Sequence, residues 1–127
     1  MIELSWDNDE KTIILGKFHK GWTVNDLIDV MKETHNLVES VEHNVYIMFD
    51  LLDAGNVPSG GISNFRSIAT KLHPRIKMII DVSDSMLVEA LTNVFKSIYK
   101  EGSRVYVVKT FDEAYKLIES DMEKSAS

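Results

Sequence analysis

The chain has 127 residues, 44% hydrophobic and 27% charged, which fits one globular domain large enough to bury a core without staples. It has no cysteine, so disulfides, thiolate catalysis and sulfur-ligated zinc are excluded, and a reducing, cytoplasmic setting is expected. Its net charge of −6 repels phosphate backbones and argues against nucleic acid, while no apolar run reaches the length of a membrane span.

Residues Ile2 to Trp6 read as a short strand, and Asp7-Asn8-Asp9-Glu10 as a turn. Thr12 to His19 is a second strand, close enough to the first to form an antiparallel hairpin. The acidic start MIELSWDNDE lacks the apolar stretch of a signal peptide.

A helix then opens at Thr23, whose hydroxyl can cap the first turn while Asp26 reaches back to the cap. Trp22 and Leu27 occupy the two positions of a hydrophobic staple. Val24, Leu27, Ile28, Met31, Val38 and Val41 follow at helical spacing. The stripe lapses at Thr34 and His35, which predicts a bend or an end there.

Asn44 to Leu51 is a nearly unbroken apolar strand, of the kind covered on both faces. After the loop 52–61, a second helix carries Ile62, Phe65, Ile68, Ala69 and Leu72, and His73-Pro74 stops it. Ile76 to Val82 is another buried strand. A third helix is expected from about Ser85 to Lys100, with Gly102 suited to its left-handed cap. Arg104 to Lys109 is the last strand, and Thr110-Phe111-Asp112-Glu113 opens a final helix as a capping box. Phe111, Ala114, Tyr115, Ile118 and Met122 share one face of it. The domain is expected to span residues 1–122, with residues 123–127 a frayed tail.

The expected fold is therefore α/β, a mixed sheet of about five strands with about four helices in the order ββαβαβαβα. Helical crossovers make the last three strands parallel, and the hairpin supplies an antiparallel portion.

Ligands of open α/β sheets gather outside the carboxyl ends of the strands. There the sequence brings Asp50 to Gly61, Asp81 to Ser85, and Lys109 with Thr110. The first segment is the most unusual. Asp50, Asp53, Asn56, Ser59, Gly60, Gly61 and Ser63 form a candidate ligand- or partner-binding loop ahead of a helix N-terminus, which favours an anion or a phosphorylated side chain. The plainer alternative is that these polar residues only cap the helix and close turns.

A buried strand ending in Asp50-Leu51, a short loop, and Ser59-Gly60-Gly61 before a helix resemble the STAS domain, the fold of anti-sigma factor antagonists. The order of elements matches over nearly the whole chain, and more narrowly the sequence resembles the SpoIIAA-like proteins, which are related to lipid-carrier domains. The resemblance implies a regulatory domain acting through protein partners, with a serine at the start of this helix phosphorylated by a kinase. Counted without gaps from Asp50-Leu51, however, Gly60 falls on the phosphorylated serine of that motif, so Ser59 and Ser63 are the remaining candidate phosphosites. The lipid-carrier relationship implies an alternative, a small carrier or sensor of an apolar or anionic ligand at the carboxyl edge. A fainter similarity to receiver domains would pair Asp50 with Lys109, but the first strand ends in a hairpin turn rather than in the acidic pair that holds Mg²⁺.

Neither catalysis nor a cofactor is expected. The histidines, His19, His35, His43 and His73, have no mutual metal-binding spacing, and no metal site is expected. Ser59, His19 and Asp50 could be assembled on paper into a triad, but no nucleophile elbow surrounds the serine. Asp50 and Asp81, both at strand ends, are a candidate carboxylate pair for acid–base work, or simply turn-closing residues. Arg66, Lys71, His73, Arg75 and Lys77 form the most basic stretch, with little aromatic interleaving, so it reads as a solvated face. In the third helix Val88, Phe95 and Tyr99 widen the apolar arc to about 220° at ~100° per residue. They form a candidate homodimer interface, the alternative being burial under a neighbouring helix.

Overall fold

The first turn is built around Asn8. Its carboxamide oxygen accepts from the backbone N–H groups of Thr12 and Ile13 at 3.0 and 3.1 Å, and its amide nitrogen donates to the Thr12 hydroxyl. This closes a hairpin between β1 (Ile2–Trp6) and β2 (Ile13–Phe18), which pair antiparallel. In this computed structural model the described residues are 1–61, 63–64, 72–86 and 104–126. The remaining elements among them are α1 (Val24–Glu39), β3 (Val45–Asp50), β4 (Ile76–Val82), β5 (Val105–Val108) and α2 (Phe111–Ala126).

The five strands form one mixed sheet in the order β1-β2-β3-β4-β5. All pairs beyond the hairpin are parallel, so β2 joins the parallel set as well as the last three strands. Of the second expected helix and its exit, Gly61, Ser63, Asn64 and Leu72 are among the described residues and the rest lie outside them. The third expected helix beyond Met86 also lies outside them, and with it Val88, Phe95 and Tyr99.

Two cores flank the sheet. On one face Ile14, Phe18, Val45, Ile47, Phe49 and Ile79 pack with Leu27, Val30 and Val38 of α1. On the other, Ile13, Tyr46, Met48, Met78, Ile80 and Val82 pack with Ala114 and Ile118 of α2. Being covered on both sides, β3 is buried at all six positions, as its unbroken apolar run requires. In β4 the register slips by one residue at Lys77: Val45 pairs with Ile76, and Tyr46 with Met78. This bulge turns the rest of the strand over.

Thr23 caps α1 with the reciprocal bond from Asp26, and the staple residues Trp22 and Leu27 are both buried. The helix neither ends nor breaks at Thr34. It continues to Glu39, with Leu27, Val30, Thr34 and Val38 as its buried line. The Thr34 hydroxyl donates to the Val30 carbonyl at 2.7 Å, so a polar residue fills the core without an unpaired group. In α2 the Thr110 hydroxyl accepts from the Glu113 N–H at 3.2 Å, while the Glu113 carboxylate reaches one residue further back, to the N–H of Lys109 at 3.1 Å. The helix runs on to Ala126, through most of the stretch expected as a tail. Tyr46 and Tyr115 donate to Asp121 and Asp7, each at 2.6 Å, tying α2 to the centre of the sheet and to the hairpin turn. Among the described residues no helix is long and apolar enough to cross a membrane.

Candidate functional site

The loop after β3 is fixed at its base. The Asp50 carboxylate accepts from the Leu52 N–H at 3.1 Å, and the Leu51 N–H donates to the Val82 carbonyl at 2.9 Å. Ala54 then dips into the α1-side core. Gly55 follows at φ +69°, where an added Cβ would stand 3.0 Å from the Lys20 side chain, so the loop lies directly on the connection between β2 and α1.

Its outer part is held by two carbonyls, Pro58 O accepting from the Gly61 N–H at 2.9 Å. Gly60 O accepts from the Ser63 hydroxyl at 3.1 Å, the Asn64 N–H at 3.1 Å and the Asn64 carboxamide at 2.9 Å. Gly60 itself has φ +82°, a region that L side chains occupy only with strain. Gly60 thus lacks a hydroxyl and also has a glycine-type backbone. Ser59 is exposed, and Ser63 is exposed with its hydroxyl engaged. Leu52 (41% exposed), Asp53 and Asn56 also face solvent.

Asp50 and Asp81 do not form a carboxylate pair. Asp50 is in register with Val82, on the α2 side, whereas Asp81 is in register with Phe49 and Val107, on the α1 side. The two acids project from opposite faces of the sheet. Asp81 is 9% exposed, and its Oδ1 has no hydrogen-bond partner among the described residues. Burial pushes its carboxyl up to about 7, because a charge there loses its hydration without gaining a counter-ion among the described residues.

Among the described residues no hydrogen bond joins Ser59, His19 and Asp50; the His19 ring approaches Glu3 at 3.5 Å instead. Of the basic stretch, Arg66 and Lys71 lie outside the described residues, while His73 and Arg75 are used internally. Arg75 donates to the Val38 and Val41 carbonyls at the end of α1, at 2.9 and 3.0 Å.

One cluster was not foreseen from the sequence. His73 meets Glu39 at 2.7 Å, His35 approaches the same carboxylate oxygen at 3.7 Å, and the two imidazoles lie 5.4 Å apart. The four-residue spacing of His35 and Glu39 is the one local signal of it, whereas His73 comes from a distant part of the chain. The Arg75 N–H donates to His73 Nδ1 at 3.1 Å, so the ring's proton sits on Nε2 and points at Glu39. That nitrogen is a donor with no lone pair for a metal. The hydrogen bond from His73, followed by nearby positive charge, holds the Glu39 carboxyl below its usual range. Among the described residues no group of three or more His, Asp or Glu has the arrangement of a metal site.

No family model matches the chain, and no curated protein or solved structure shows significant similarity to it.

Proposed function

We propose that this chain is a cytoplasmic, non-catalytic, STAS-like interaction domain that engages a protein partner through the strand-to-helix loop 50–63. The SpoIIAA-like order ββαβαβαβα, with four helices, belongs to the same proposal. The observation that carries it is the division of the loop into a fixed base and an exposed rim. Asp50, Ala54 and Gly55 bind it to the sheet and to Lys20, while Leu52, Asp53, Asn56 and Ser59 are presented to solvent. A pre-ordered loop loses little freedom on binding, which favours recognition by surface complementarity. The glycine-type backbone at Gly60 speaks against a phosphate acceptor at that position, leaving Ser59 and Ser63 as candidate phosphosites.

The test is affinity capture from native cell extract with wild type, a Leu52→Glu/Asn56→Arg variant, and Lys32→Glu on the exposed side of α1 as a control. A protein retained by wild type and control but reduced about tenfold or more by the loop variant supports the reading, that factor corresponding to ~1.4 kcal/mol. Identical sets of captured proteins from all three rule out the loop as the partner surface. Phosphopeptide mapping tests the modification separately: no phosphate on Ser59 or Ser63 removes it.

A further inference from the structure

A single row of residues crosses the sheet near its carboxyl edge on the α1 side: Leu4, Gly16, Phe49, Asp81 and Val107. Gly16 is what allows Phe49 its position. A Cβ on Gly16 would stand 3.0 Å from the Phe49 ring, which packs at 5.3 Å against Phe18. Phe49 therefore leans toward β2, and Asp81 follows it in the row with an unpaired Oδ1. Two residues along, Ser83 is 3% exposed. The Ser83 N–H donates to the Val108 carbonyl at 2.9 Å, so the ladder continues and alternation puts this side chain on the same face as Asp81. Its oxygen accepts from the Ser85 N–H at 3.0 Å, and its own proton has no acceptor among the described residues.

Buried polar atoms are nearly always paired. An unpaired carboxylate oxygen and a hydroxyl whose proton has no acceptor among the described residues share one face, at the strand ends where α/β sheets take ligands. We propose that Asp81, with Ser83, binds the ammonium group of a small amine whose apolar part lies toward Phe49 and Val107. An ammonium supplies the donors that Asp81 Oδ1 lacks, and its charge favours the ionised carboxylate in a place where no cation among the described residues acts on it. A neutral hydroxyl brings only the hydrogen bond. The ionised Asp81 carboxylate repels a carboxylate or phosphate ligand, so an anion does not draw Asp81 into its charged form as an ammonium does. The site is independent of the loop's role as a partner surface.

The probe is n-butylammonium, with n-butanol and butyrate as size-matched comparisons, added to the full chain. The readouts are the pH titration of the Asp81 side-chain ¹³C carboxyl signal and the thermal midpoint. Saturating butylammonium lowers the Asp81 titration midpoint by about one pH unit or more, a tenfold preference for the ionised form, and raises the thermal midpoint. Asp81→Asn, a neutral isostere that keeps the fold, abolishes the thermal rise, and Ser83→Ala weakens binding several-fold. An Asp81 titration unmoved by butylammonium overturns the proposal. So does an equal thermal rise in Asp81→Asn, or butanol acting as well as butylammonium.

Discussion

Phe49 and Asp81 stand side by side in β3 and β4, yet one is a packed core residue and the other a buried acid with an unpaired oxygen. The acid's consequence for stability has a definite sign. A carboxyl raised from its ordinary 3.8 to about 7 takes up a proton on folding, so stability falls as pH rises between those values. Above about 7 the full penalty is present, up to roughly 4 kcal/mol. Below 3.8 it vanishes. Asp81→Asn removes the ionisation. Urea unfolding of both proteins at about pH 5 and about pH 9 is expected to show wild type losing roughly 2–3 kcal/mol more than the variant over that range.

Gly60→Ser introduces a hydroxyl but places an L side chain at φ +82°. The strain lowers stability by about 1–2 kcal/mol. Gly60→Asn, a residue that tolerates left-handed backbone, loses less. Equal urea midpoints for wild type and Gly60→Ser would mean that the loop adopts another conformation.

Thr34 is fully buried with its hydroxyl on the Val30 carbonyl. Thr34→Val keeps the shape, and that carbonyl retains its place in the helix ladder, so stability changes by less than about 1.5 kcal/mol. Thr34→Ala removes a methyl from the core as well and loses about 1–2 kcal/mol more than the valine variant. Thermal melts of the pair separate packing from hydrogen bonding.

Arg75 caps α1 from outside through the Val38 and Val41 carbonyls and lies 4.0 Å from Glu39. Arg75→Ala leaves both acceptors without this donor and is expected to lower stability by about 1–3 kcal/mol. Arg75→Lys, a single ammonium in place of a planar fork, recovers only part of it. Because the Glu39 carboxyl is held below its ordinary 4.5, its contribution is present above 4.5 and fades as pH falls through its lowered value. In urea melts across pH, Glu39→Gln is expected to flatten stability in that acid range and to leave it unchanged in slope near neutrality.

Much of the fold is local information. Alternation and turn residues located β1 and β4 with their observed bounds, and Thr23 with Asp26 announced the start of α1. The apolar run of β3 carried its burial on both faces. Thr34 misled because a hydroxyl looks polar in a list of residues; its partner, a carbonyl one turn earlier, makes it a core residue. The His35–Glu39–His73 cluster joins residues up to 38 positions apart, which no local pattern records.

The loop from Asp50 to Gly61 was visible in the sequence as an unusual stretch of Asp, Ser and Gly between a strand and an expected helix. Its chemistry depended on tertiary structure. Counting alternation from Ile76 without a bulge would put Asp81 on the α2 side, the face of Asp50. The extra residue at Lys77 turns Asp81 to the α1 side instead. A strand's period of two makes every side-chain direction depend on register, and register is set by the partner strand. Composition and periodicity thus determined the elements and their core faces, while the pairing of β3 with β4 decided which buried acid stands alone.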